Sequence, residues 1–183
     1  PTLLGSKTVS DSMAEFALGK AAMVQNGNWG WGQIAEVEGN TVKEEDVKFM
    51  PIYTGVKGEE KQGLCIGTEN FFSINNKASE ADQKASIAFI EWLFTSDTGK
   101  KHVTEELGFI APFDTFKDAE TPQDPLAQEV LRYLGNKDLY NVDWNFVSFP
   151  SQTFKDDFGA ALLEYANGNM KWEDVKTKVV DEW

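Results

Sequence analysis

The stretch Phe16 to Trp31, FALGKAAMVQNGNWGW, constrains the fold of this chain more than any other. Ala21, Ala22, Met23 and Val24 read as a short buried strand, predicted over Ala21 to Gln25. Asn26-Gly27 reads as the turn that ends it, because both residues tolerate positive φ. Trp29 and Trp31 follow at once. Small molecules bound by α/β proteins sit at the carboxyl ends of strands, so Trp29 falls where a ligand would be met. An indole offers a flat apolar face there. Sugar rings carry C–H patches on their faces and hydroxyls round the rim, so a stacked tryptophan with a few amides and carboxylates suits them.

The elements alternate in the manner of an α/β fold with several helices around a small sheet. A short helix is predicted over about Ser12 to Leu18, and a second from near Trp29, with Trp31, Ile34 and Ala35 at helical spacing and Gly39-Asn40 as its stop. Val47 to Tyr53 reads as a strand that Pro51 confines to an edge or an end. Gly55 to Gly63 reads as loop, and Leu64 to Gly67 and Phe71 to Ile74 as strands parted by the polar Thr68-Glu69-Asn70. The clearest helix is Ser79 to Thr95, opened by a capping box between Ser79 and Asp82. Its apolar stripe is wide enough to predict burial of most of its circumference. Ser96 caps a further helix to about Leu107, with Gly108 as its left-handed stop. Asp114 to Asp124 is linker, Leu126 to Leu134 helix, Asn136 to Pro150 irregular and aromatic. Two helices finish the chain, Gln152 to Asn167 and about Trp172 to Trp183.

Composition excludes several classes. The chain has 183 residues, 41% of them hydrophobic, enough for a substantial core. Its 30 acidic against 17 basic residues give a formal charge of −13, which repels phosphate backbones and anionic headgroups and argues against nucleic acid as a partner. No run of apolar residues is long enough to span a bilayer. Cys65, the single cysteine, lies in the apolar run Leu64 to Ile66 and reads as a buried thiol. His102 reads as a surface residue without a nucleophile partner. No phosphate-binding glycine loop, HExxH or CxxC motif occurs, so neither a metal nor a cofactor is expected. The carboxylate pairs Glu105-Glu106, Asp156-Asp157 and Glu173-Asp174 read as solvated helix faces.

The candidate ligand-binding residues are Asn28, Trp29, Glu69, Asn70, Trp144 and Ser151. Each has a plainer alternative. Trp29 could be core, and Asn28 could cap the second helix. Glu69 and Asn70 could form a turn, yet a carboxylate that accepts two hydroxyls is a common way to orient a sugar. Trp144 and Ser151 belong, with Asn145, Phe149 and Gln152, to an aromatic-polar loop leading to a helix N-terminus. Trp92, Trp172 and Trp183 read as packing residues.

At Phe16, Gly19, Lys20, Ala21, Ala22, Met23, Asn26, Gly27 and Trp29 the chain resembles the solute-binding proteins of bacterial ABC importers for carbohydrates, the class that includes maltodextrin-binding protein. Ala88 to Asp97 with Gly99-Lys100, and Leu107 to Pro112, are similar to that family's helix pair and following loop. The resemblance implies a type II periplasmic-binding-protein fold, of which this chain is the carboxyl-terminal part. Residues 1–62 and 121–183 then belong to the carboxyl-terminal lobe, and 63–120 to the amino-terminal lobe or to a repacked helical segment. It implies a non-enzymatic receptor that closes on a sugar or oligosaccharide and hands it to a membrane permease. It also implies an extracellular location, periplasmic or lipid-anchored at the cell surface. The alternative is a carbohydrate-active enzyme or accessory lectin module, with Glu69 as acid and a second acid that the sequence does not nominate.

A final expectation follows from the lobe crossings. Phe71, Ile74, Phe89, Trp92, Leu93 and Phe109 would lack their usual cover. Exposing such side chains costs about 1.5 to 3 kcal/mol each, so self-association of the chain or a repacking of Ser79 to Leu107 is expected.

Overall fold

The computed structural model describes residues 5–68, 71–117 and 120–183. It is a helix-rich α/β structure whose sheet, among the described residues, has two parallel strands. The first helix, α1 (Val9–Ala17), starts earlier than the apolar spacing suggested, because Thr8 caps it. The Thr8 hydroxyl accepts the Asp11 amide at 3.1 Å, and the Asp11 carboxylate accepts the Thr8 amide at 2.8 Å. Helix α2 (Gly30–Ala35) packs on α1. Met13 and Ala17 of α1 meet Ile34 of α2 in a small core, with Phe16, Val24, Trp31, Val37 and Val42 around it.

Two predicted strands are extended segments instead. Ala21 to Gln25 has no ladder partner and leaves Met23 72% exposed. A strand is stable only when a neighbouring edge takes its backbone groups, and among the described residues none pairs with this segment. Val47 to Tyr53 is also extended, and helix α5 (Pro125–Gly135) takes over its hydrogen bonding. The buried Glu129 carboxylate accepts the Phe49 amide at 3.2 Å, while the Tyr133 hydroxyl donates to the Phe49 carbonyl at 3.1 Å. Side chains of a helix thus satisfy both backbone groups that a sheet would have used. The next turn is closed by Glu59, whose carboxylate accepts the amides of Thr54 and Gly55.

Strand β1 (Gln62–Ile66) matches its prediction, but its partner β2 (Tyr140–Asp143) lies in the stretch read as irregular. Gln62 pairs with Tyr140, Cys65 with Val142 and Ile66 with Asp143, with an irregularity between the first two. Cys65 is exposed rather than buried, since alternation along the strand turns it away from Leu64, which faces inward. Phe71 to Ile74 forms no strand, and Phe71 and Phe72 are exposed.

Helix α3 (Glu80–Thr95) is capped by Ser79, which accepts the Asp82 amide at 3.2 Å. Asp82 accepts the Ser79 hydroxyl at 2.7 Å rather than reaching back to its amide, so only half of the expected box forms. The predicted wide burial does not occur either. Leu93 is the buried residue of α3, while Ile87, Phe89 and Trp92 remain exposed. Helix α4 (Asp97–Lys101) folds tightly under the end of α3. A Cβ at Gly99 would stand 2.4 Å from the Trp92 carbonyl oxygen, so only glycine permits this approach. A π-helical turn, His102–Glu106, continues α4 and stops at Gly108 with φ of 64°. Lys100 is buried and pairs with Glu120 at 2.8 Å, tying the following loop to α4. Helices α6 (Gln152–Ala166) and α7 (Trp172–Glu182) form the closing pair.

Candidate ligand-binding site

Parallel pairing brings the carboxyl ends of β1 and β2 to one edge of the sheet. The Trp144 amide donates to the Ile66 carbonyl at 3.2 Å and extends the ladder by one bond. Trp144 therefore leaves β2 beside Gly67, where a Cβ would stand 2.8 Å from the Cβ of Trp144. Thr68 follows, and then Glu69 and Asn70, two predicted site residues that lie outside the described residues. The topology thus places Trp144 at the same sheet edge as Gly67, the residue that follows β1.

Trp144 is part of an aromatic run. Its ring stacks on Phe146 at 5.6 Å between centroids, nearly parallel at 7°. The Lys155 ammonium lies 3.1 Å from the centre of the Phe146 ring in a cation–π contact. Phe149 continues the run and meets Trp183 edge-on, yet Trp183, like Trp92 and Trp172, is exposed and not the buried packing residue that its helical spacing suggested. Trp144 itself is still 36% exposed. Ser151 is the N-cap of α6 and accepts the Phe154 amide at 3.0 Å, which gives it a structural role whatever else it does. The strand that delivers Trp144 escaped the sequence reading, as did the roles of Phe146 and Lys155. The available signal was weak: four residues, Tyr-Asn-Val-Asp, are too few for alternation to register.

Trp29 occupies the N-cap position of α2, and no side chain caps that helix, Asn28 included. Asn28 is half-buried beside it. Trp29 is 57% exposed, which rules out the reading of it as core, whereas Trp31 packs on the α1–α2 core. The turn before it differs from its prediction. Neither Asn26 nor Gly27 has positive φ. Asn26 instead holds the turn through its side chain, accepting the Gly27 amide at 2.8 Å and donating to the Met13 sulfur at 3.2 Å. Helix α2 contacts α1 and α5, and α5 contacts β1, so Trp29 and Trp144 are carried by separate elements linked through α5. No ring contact joins them among the described residues.

Groups with reactive potential are engaged otherwise. His102 Nδ1 lies 2.8 Å from the Glu106 carboxylate, one turn along, and its ring lies against Trp92. Desolvation of the sulfur, and then the Asp143 charge, push the Cys65 thiol up, so it is a poor nucleophile. Among the described residues no cluster of His, Cys, Asp or Glu could hold a metal ion, and no helix is long and apolar enough to cross a membrane.

The family model described as bacterial extracellular solute-binding protein matches residues 3–129. Comparison with curated proteins and with solved structures gives no match. The family match spans more than half of the chain and includes both the Asn26–Trp29 turn and strand β1, and on it the chain belongs to the bacterial extracellular solute-binding proteins.

Proposed function

We propose that this solute-binding protein is the carbohydrate receptor of an ABC importer, taking up a sugar or oligosaccharide and passing it to a membrane permease. The observation that carries the reading is the half-exposed Trp29 indole, set on a helix start by a hydrogen-bonded turn. Apolar ring faces exposed in this manner suit the C–H faces of pyranosides. Asn28, Glu69, Asn70, Trp144 and Ser151 supply the other contacts in this proposal. The two lobes follow the residue ranges 1–62 with 121–183, and 63–120. In support, α3, α4 and the π-helical turn contact one another and α1, α2 and α5 form their own chain of contacts; β1, although inside 63–120, pairs with β2 and contacts α5, so it sides with the carboxyl-terminal lobe. The receptor is periplasmic or held at the cell surface by a lipid anchor.

Titration with maltotriose and a set of other oligosaccharides, followed by tryptophan fluorescence and by product analysis, tests the proposal. Saturable quenching without product is the expected result. Trp29→Ala should weaken the binding by about 1 to 3 kcal/mol, roughly five- to 150-fold. Turnover of the saccharide would favour the enzyme alternative, and unchanged affinity of Trp29→Ala would move the stacking role to Trp144.

We also propose that the exposed aromatic face of Phe71, Phe72, Phe89, Trp92 and Phe109 is covered by a second copy of the chain. Phe72 and Phe89 border one groove and Phe89 meets Trp92, and half-exposed aromatic side chains of about 100 Å² apiece give roughly 500 Å² per partner, the size of a weak interface.

A further inference from the structure

Gly27 has no backbone reason to be glycine. Its φ is not among the positive values found at Gly5, Gly19, Gly39, Gly55, Gly58, Gly108 and Gly168. Its amide donates to the Asn26 side chain at 2.8 Å and its carbonyl accepts the Gly30 amide at 3.0 Å. Any residue except proline could make both bonds. The space where a side chain would stand is taken, however. A Cβ built on Gly27 lies 2.3 Å from Cη2 and 2.3 Å from Cζ3 of Trp29, and 2.6 Å from Cε3. Ordinary carbon contacts are about 3.5 to 4.0 Å, so a methyl group and the present indole cannot coexist.

We infer that Gly27 is a positioning residue, kept bare so that the six-membered side of the Trp29 indole can fold back over the turn and present one fixed ring orientation to the ligand. The inference rests on the reading of Trp29 as the ligand's stacking surface. Three features fit together. The Asn26 side chain fixes the turn from below through Met13 of the core, and the turn carbonyl holds the start of α2. Without a side chain at position 27, the ring rests on backbone that this clamp has already made rigid. A ring parked in this way has little rotational freedom left to lose when a ligand arrives, which preorganises the site. Gly30 shows the contrast: a Cβ there would press on Met13 Cε of the core at 3.0 Å. Its replacement therefore disturbs packing, whereas a side chain at Gly27 meets only the movable end of Trp29.

The test uses the full chain labelled with 5-fluorotryptophan, the Trp29 resonance being assigned by its loss in Trp29→Leu. Gly27→Ala should shift the Trp29 fluorine resonance and leave those of the other tryptophans in place, with a melting temperature within about 2 °C of the parent. An unmoved Trp29 resonance overturns the inference. Should Gly27→Ala fold poorly, the same substitution is made in Trp29→Leu. Recovery of stability there supports the inference, and equal destabilisation in both backgrounds overturns it, because the glycine would then serve the backbone. Where the parent binds maltotriose, Gly27→Ala should weaken binding about tenfold, with no further loss when added to Trp29→Ala. Absence of maltotriose binding by the parent counts against that sugar as ligand, while the fluorine resonance still decides the role of Gly27.

Discussion

Two buried glutamates hold backbone amides that no strand partner takes, Glu129 along an extended run and Glu59 at a turn. Glu129 accepts from Arg132 at 2.8 and 3.0 Å and from the Phe49 amide, and its Arg132 hydrogen bonds, with the Phe49 amide and the nearby Lys48 charge, hold its carboxyl below the usual range. Glu59 is held low in the same direction, chiefly by the Thr54 amide. A carboxylate whose folded pKa is depressed contributes stability above its unfolded value, near 4.3, and loses it as pH falls through the folded value. Stability should therefore be flat from pH 7 to about 5 and decline below about 4.5. Glu129→Gln should lower stability at pH 7 and flatten the acid decline, as read by urea melts from pH 3 to 7. An equally steep decline in the variant would show that Glu129 is not its source. Aromatic spacing next to an Asn-Gly pair is enough, as sequence, to make Trp29 a candidate for the site. The orientation of its ring was not legible, because it depends on a close approach to Gly27 that leaves no mark in a one-dimensional pattern.

Helices were the readable elements and strands were not. Every predicted helix exists within a few residues of its reading, since caps such as Ser79 and Ser151 act within three residues of sequence. The strands Ala21 to Gln25, Val47 to Tyr53 and Phe71 to Ile74 did not form, since an extended run becomes a strand only beside a partner edge that sequence does not name. The α1–α2 unit supplies a local test. Met13 is 1% exposed and packs with Ala17 and Ile34, so Met13→Ala should cost about 2 to 5 kcal/mol in chemical denaturation. It should also loosen the Asn26–Trp29 turn, because Asn26 loses the sulfur to which it donates. A loss below about 1 kcal/mol would mean that this core is not a cooperative part of the fold.

Across the whole molecule, the expectation that the Leu64 to Pro112 region lacks cover is met in part: Phe71 at 65%, Phe89 at 55%, Trp92 and Phe109 are exposed, whereas Leu93 is buried where α4 folds under the end of α3, and Ile74 is half-buried. Phe72, Ile74, Phe89 and Ile90 border one groove between α3 and the preceding segment. Light scattering of the 20.5 kDa chain should accordingly give a mass near twice that value, and Phe89→Glu should return it to the monomer. A strictly monomeric parent with the same exposed α3 would refute self-association. The charge of −13 opposes assembly at low salt, so the dimer should strengthen as ionic strength rises to about 0.15 M.

What the sequence by itself determined is whatever acts over a few residues: the helices and their caps, the left-handed stop at Gly108, the exposed tryptophan beyond a turn, the acidic surface, and the solute-binding family. The tertiary structure alone decided which extended runs pair, that α5 hydrogen-bonds Phe49 in place of a neighbouring strand, and that β2 carries Trp144 to the edge where β1 ends. It also decided that the aromatic face of α3 finds no cover within the single chain. The division follows from range: a cap or a helical stripe is complete within a turn or two of chain, whereas a strand, a parked ring or a covered face exists only when distant residues arrive to complete it.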